Sequence, residues 1–184
     1  MQFHSLSFMD CITAPVCQWP GVGCSGTNVN SIDINNVGFH GSLPSEFGQL
    51  FSLAILNLGN NSFVGTIPSE VAQLPSLQSF NLEKNSFEGS VPKFSPSLKE
   101  IVLQYNRLSG SLPSDYFADM GSLVTFDVSN NNMGGYIPES IGSASSLNSL
   151  DLSTNWFSGK QFIRILFFVC IVNVSNTNFC SCSV

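Results

Sequence analysis

Few residues of this chain have types suited to chemistry, and three of them fall into a pattern. Asp33, Asp127 and Asp151 each follow the same alternation, in "SIDI", "TFDV" and "SLDL". Carboxylates at one position of neighbouring strands stack on one face, close to each other, and like charges so placed raise a pKa toward the range of a general acid. Hydrolytic chemistry would also need a cleft that excludes water. A strand face is flat and open, so a solvated polar column is the favoured reading. "GVGCSG", Gly21 to Gly26, has the spacing of a dinucleotide-binding turn. That turn needs a strand before it and a helix after it, so that a pyrophosphate meets the helix N-terminus. Here a Trp-Pro turn precedes it and the strand-like "VNSIDI" follows. No cofactor is expected, and no metal site either, because no CxxC pair occurs and His4 and His40 lack ligand spacing.

The composition narrows the functional classes. Only 10% of the 184 residues are charged, the net charge is -6, and Lys and Arg together number six. No basic stripe is left for phosphates, which excludes nucleic acid as the expected partner. Six cysteines cluster at the two ends, Cys11, Cys17 and Cys24 against Cys170, Cys180 and Cys182. They are staples if the chain is exported, and free thiols or ligands if it stays in the cytosol.

What must position these residues is a repeat. Aligning the chain on Leu, Asn, Gly and Pro gives the template LxxLxLxxNxFxGxIPxxLxxLxx, with full units starting at Val29, Leu53, Leu77, Leu98 and Leu123 and a partial one at Leu147. The Asn column is Asn61, Asn85, Asn106, Asn131 and Asn155, with Val37 the exception in the first unit. The Gly column is Gly41, Gly65, Gly89, Gly110, Gly135 and Gly159, and the Pro column is Pro44, Pro68, Pro92, Pro113 and Pro138. Phe162 stands where the sixth proline is due.

Each column has a physical task. The alternation in "FNL" or "FDV" reads as a short strand with one face inside. An Asn amide both donates and accepts, so it pairs backbone groups that the following bend would otherwise bury unsatisfied, and a ladder of such residues can run along the stack. Gly supplies positive φ or close approach, and Pro a stiff extended segment without a donor. One unit of about two dozen residues cannot bury enough apolar surface alone, so neighbours must stack.

The five in-register copies resemble the plant-type leucine-rich repeat family, whose mark is the "GxIP" half of the template. "CQWPGVGC", Cys17 to Cys24, resembles that family's N-terminal cap, "CxWxGVxC". The resemblance implies a Cys17–Cys24 disulfide. It also implies an α/β repeat solenoid, a right-handed superhelix with one parallel β-sheet on the concave face and short 3₁₀ or turn segments on the convex face. The expected organisation is an uncertain segment at 1–16, a cap remnant at 17–28, repeats at 29–159 and a non-repeat apolar tail at 160–184. In this family an export signal and a capping helix precede the cap motif. "MQFHSLSFMDCITAPVC" shows no export signal, so the true beginning is expected to lie upstream.

The recognition surface expected of such a scaffold is the strand face, where outward side chains stand in columns. The central column is Asp33, Asn57, Asn81, Val102, Asp127 and Asp151, flanked by Glu83, Lys84, Glu100, Gln104 and Tyr105. Tyr105 is either a recognition anchor or a cross-strand packing partner. The face has no arginine of the kind that clamps a peptide carboxylate in some receptors of the family, and its acidic, amide-rich character suits a cationic or polar partner. The resemblance implies a noncatalytic module like the ectodomain of a receptor-like protein, receptor-like kinase or co-receptor. Its expected partner is a protein or peptide ligand or a receptor kinase ectodomain, outside the cell or at its surface. The alternatives are a secreted inhibitor of a cell-wall hydrolase, similar to polygalacturonase inhibitors, and a truncated product without its own role. Asn60 and Asn173 begin glycosylation sequons.

The apolar run from Phe162 to Val174, "FIRILFFVCIVNV", spans about 20 Å as a helix, short of a ~30 Å hydrocarbon core. No membrane span is expected there. The run reads as a buried strand or an unplaced tail outside the repeats, and Gly159-Lys160, encodable by a splice-donor-like GGTAAG, raises an intronic origin or an alternative carboxyl end.

Overall fold

A computed structural model of the protein describes residues 15–158, 171–173 and 175. The cap opens with a 3₁₀ turn at Val16–Gln18, followed by strand β1 (Val22–Ser25), which doubles back antiparallel on β2 (Asn28–Asp33). Each later coil adds one short strand: β4 (Ile55–Asn57), β6 (Ser79–Asn81), β8 (Glu100–Val102), β10 (Thr125–Asp127), β12 (Ser149–Asp151) and β14 (Ile171–Asn173). Together they form an eight-stranded sheet ordered β1-β2-β4-β6-β8-β10-β12-β14, parallel from β2 onward.

The middle residue of each strand points inward. Ile32, Leu56, Phe80, Ile101, Phe126 and Leu150 make one buried row, and the unit-opening leucines 53, 77, 98, 123 and 147 make a second. Each such side chain contributes about 1.5–3 kcal/mol by leaving water, and both rows belong to one continuous buried cluster, so the core is a spine shared between units. The first coil is less complete: Val29, Ile34, Phe47 and Leu50 are only partly buried against it.

The single sheet expected from the template is half of what forms. A second, six-stranded parallel sheet is built from β3 (His40–Ser42), β5 (Ser62–Gly65), β7 (Ser86–Ser90), β9 (Arg107–Gly110), β11 (Asn132–Tyr136) and β13 (Trp156–Ser158). These are the segments just after the Asn column. At their last or next-to-last residue, Gly65, Gly110 and Gly135 adopt φ of 83°, 81° and 82°, which L side chains reach only with strain. Around Gly65 and Gly110 the nearest atom to an added Cβ is 3.7 Å away. Conformation and not crowding therefore calls for glycine at those two.

Proline follows and starts a helical turn. Pro44, Pro68 and Pro138 are extended, and their carbonyls receive the first N–H of the 3₁₀ turns Ser45–Gln49 and Glu139–Ser143 and of the one-turn helix α1 (Ser69–Ala72). Where the fourth unit lacks such a helix, Tyr116 and Phe117 fill the space and meet Phe126 edge to face, at centroid distances of 6.0 and 5.2 Å.

In the apolar run that reads as a buried strand or an unplaced tail, three residues form a strand. Ile171–Asn173, assigned to the tail, pairs in register with β12, Leu150 opposite Val172 and Asp151 opposite Asn173. "IVNVS" repeats the strand pattern of "SLDLS" without the Gly and Pro that marked the earlier units. Strand pairing needs only the alternation, so the large sheet continues where the outer half of the template has stopped.

Candidate functional site

The Asn column is a continuous hydrogen-bond ladder. The Oδ1 of Asn61, Asn85, Asn106, Asn131 and Asn155 accepts the backbone N–H of Phe39, Phe63, Phe87, Leu108 and Met133, each at 2.9 Å, in the preceding coil. Their Nδ2 atoms donate back to carbonyls of that coil, Ile34, Leu58, Leu82, Leu103 and Val128, and to carbonyls of their own. Every bend is thereby tied to its neighbour, which makes the strand face rigid before any ligand arrives. Val37, in the first unit, has only its backbone in this network, its N–H donating to Asn61 Oδ1 at 3.3 Å.

The strand face carries its side chains in three outward columns. The central one is in register from end to end, Asp33, Asn57, Asn81, Val102, Asp127, Asp151 and then Asn173. Asp127 and Asp151 are neighbours, whereas Asp33 lies four strands from Asp127 and takes no part in that pair. Nor are these side chains wholly free: one oxygen of Asp33, Asn57, Asn81, Asp127, Asp151 and Asn173 accepts the backbone N–H two residues on. Each thus closes its own turn and offers only its remaining atoms to a partner.

A column on one side, Ser31, Ile55, Ser79, Glu100, Thr125 and Ser149, is the one that only Glu100 represented in the sequence reading. Small hydroxyl residues ahead of an inward Leu or Phe carry no signal of their own, although the same two-residue alternation would have placed them. On the other side, Asn35, Gly59, Glu83, Gln104, Ser129 and Ser153 occupy equivalent positions just past the strands. Gln104 Nε2 donates to Glu83 Oε2, and Ser79 Oγ donates to Glu100 Oε2 at 2.7 Å.

Lys84 and Tyr105 stand elsewhere than the flanking strand positions expected of them. Both sit at the turn that ends the strand, with φ of 50° and 57°, in line with Asn60 and Asn130. Tyr105 is 53% exposed there, so its ring stands at the rim of the face. Asn60 shares this row, its Nδ2 donating to Asn36 Oδ1 at 2.5 Å.

Burial shapes the electrostatics. Partial burial holds the Asp127 carboxyl above its ordinary range, the nearby charges of Asp151 and Glu83 add to this, and hydrogen bonds from Ser129 pull the other way. The cause differs from the like-charge repulsion expected: partial burial leads, and the neighbouring carboxylates add to it. Among the described residues no group of His, Cys, Asp and Glu is placed to hold a metal ion, and no helix is long and apolar enough to cross a membrane. Gly21 to Gly26 lie in the β1–β2 hairpin, where the Cys17–Cys24 disulfide ties the 3₁₀ turn to β1. Cys11, Cys170, Cys180, Cys182, His4 and Arg164 lie outside the described residues.

Sequence profiles described as leucine-rich repeat match residues 96–157 and 52–74. Solved plant receptor structures superpose over most of the described coils. The chain is a plant-type leucine-rich repeat protein. PEPR1, in a structure of PEPR1-AtPEP1, aligns with a TM-score of 0.81 at 32% identity over 89% of this chain and 24% of its own. Pollen Receptor Kinase 3 aligns at 0.79 and 29% identity over 94% of this chain and 86% of its own. The Arabidopsis receptor kinase HAESA, solved with the peptide hormone IDA and the co-receptor SERK1, aligns at 0.71 and 31% identity over 77% of this chain and 24% of its own. This leucine-rich repeat chain thus spans about a quarter of the PEPR1 and HAESA chains. No curated protein matches the sequence.

Proposed function

We propose that this leucine-rich repeat chain is a noncatalytic recognition module that holds a protein or an extended peptide on the strand face, outside the cell or at its surface. The observation that carries the reading is the central column, in register over seven strands and flanked by two further columns that are polar or acidic apart from Ile55 and Gly59. A surface of this kind is pre-organised by the Asn ladder, so little conformational entropy is lost when a partner docks. Successive strands are about 4.8 Å apart, so a chain laid across them meets a new trio of side chains at each coil. The carboxylates stand on an open sheet and not in a water-excluding cleft, which is the arrangement for binding and not for acid–base turnover.

PEPR1 and HAESA were solved with the molecules their structures name, and by that likeness the partner is a peptide, a protein or the ectodomain of a receptor kinase. Capture of secreted plant proteins on the folded chain tests the reading. Thr125→Arg, which places a bulky cation in the middle of the strand face, is expected to abolish capture, and Asn132→Arg on the second sheet to leave it intact. The opposite pattern would overturn the assignment of the face. A captured cell-wall hydrolase would favour the inhibitor reading, and a captured receptor kinase the co-receptor reading.

A further inference from the structure

The central column of the strand face has one interruption. Val102 is the member with no side-chain oxygen to close its own turn, between Asn81 on β6 and Asp127 on β10. Its half-buried isopropyl group lies on the same face as Glu100, two residues before it, and Gln104, two residues after it. Three carboxylates surround this apolar spot, and each is already held in place. Glu83 is fixed by the Gln104 amide, Glu100 by the Ser79 hydroxyl at 2.7 Å, and Asp127 by the Ser129 N–H at 2.9 Å. None is ion-paired with a described lysine or arginine; the ion pairs of Lys93 are with Asp115 and Asp119. Gln104 Oε1 is buried without a donor, so an acceptor at this place is left unsatisfied.

We propose that Val102 and the carboxylates of Glu83, Glu100 and Asp127 form a seat for one cationic side chain, an arginine or lysine, of a peptide lying across the strand face. The proposal rests on the reading of that face as a peptide-binding surface. Such a side chain has an apolar stem and a charged head, which matches an apolar floor rimmed by acceptors. Neighbouring strands are about 4.8 Å apart and alternate residues about 7 Å apart along a strand, so every carboxylate of the rim lies within reach of a head group centred on Val102. Charge complementarity fixes the sign of the partner: Asp33, Glu83, Glu100, Asp127 and Asp151 on the face outnumber Lys84 at its rim and Lys99 just before β8. The regular coils offer the polar column without the apolar floor, which places the cation at β8 and not anywhere along the sheet.

Panning a random-peptide display library on the folded chain tests this, with the enriched peptides then titrated calorimetrically. The comparison is between the natural chain, the triple variant Glu83→Gln, Glu100→Gln, Asp127→Asn, and a control, Glu46→Gln with Glu70→Gln, which removes charge from the helical turns. Enriched peptides are expected to contain Arg or Lys. Replacing that residue by Gln should weaken binding at least about tenfold, as loss of a charge-assisted hydrogen bond does. The triple variant should do the same, the two losses should not add, and the control should bind normally. Val102→Asn, which removes the apolar floor and restores the turn-closing oxygen, should also weaken binding while circular dichroism stays unchanged. Enriched peptides indifferent to both changes would overturn the cationic seat and leave the recognition surface standing. A folded chain that enriches no peptide would overturn both.

Discussion

Asn131 and Leu108 are 23 residues apart in sequence, yet the Asn131 Oδ1 accepts the Leu108 N–H at 2.9 Å while its Nδ2 donates to the carbonyls of Leu103 and Val128, each at 3.0 Å. The amide is buried and serves groups of two coils at once. Asn131→Ala leaves these groups unpaired out of reach of water and should cost about 2–4 kcal/mol in urea unfolding. Asn131→Asp keeps an acceptor but loses the donors, so it should rescue little. Equal stability of the Ala variant and the natural chain would mean that the ladder does not couple the coils.

Tyr116 donates its phenol O–H to the Pro92 carbonyl at 2.9 Å from a fully buried position. Tyr116→Phe should therefore cost about 1–2 kcal/mol at neutral pH. Burial raises the Tyr116 phenol well above 10.0. Its contribution is complete below the unfolded value and is lost as pH rises beyond it, because the unfolded chain ionises first. The gap between the natural chain and the Phe variant should narrow above pH 10, as read by chemical denaturation at stepped alkaline pH.

Asp127 is raised for the same reason, so its folded form binds a proton more readily than its unfolded form. Its charge weighs against folding at neutral pH, and this penalty disappears as pH falls through the folded value toward 3.8. Asp127→Asn keeps the oxygen that accepts from Ser129 and removes the charge. The variant should be the more stable at pH 7, with the difference gone in strong acid, when the two are unfolded side by side. A variant equally stable at both pH values would contradict the assignment of burial as the cause.

The Cys17–Cys24 bridge closes a short loop at one end of the stack. Chain-entropy arguments put its contribution at about 2 kcal/mol for a loop of this size. In a repeat array each coil touches mainly its neighbours, so the loss should stay local. Cys17→Ser with Cys24→Ser is expected to speed amide hydrogen exchange in β1 and β2 and to leave that of β8 and β10 unchanged.

The inward rows and the Asn ladder were legible because one physical demand, burial without unpaired backbone groups, recurs at each coil with the same residue type. Leu56, Phe80 and Ile101 differ in shape but not in what they satisfy. The second sheet was not legible: "SFVG" and "SFEGS" are short and glycine-bearing, and their pairing depends on the coil spacing that the ladder imposes. The dual use of Asp127 and its equivalents was hidden for a related reason. A carboxylate two residues before a backbone N–H looks the same in sequence whether it faces solvent or closes a turn. Asn173 lies in the run that reads as a buried strand or a tail, but without the Gly and Pro of the template nothing in the sequence fixes its place in the central column. Tyr105 was assigned to the strand, although the register of the Asn column just after it fixes that position as the left-handed turn residue.

The claim on which the functional account stands is that partners meet the strand face and not the second sheet. Backbone amide shifts of the labelled chain, recorded by NMR while a display-selected peptide is added, test it most directly. Shifts concentrated in β6, β8 and β10, around Asn81, Val102 and Asp127, are the expected result. Shifts confined to β7, β9 and β11, around Glu88, Arg107 and Asn132, with the large sheet unmoved, would contradict it.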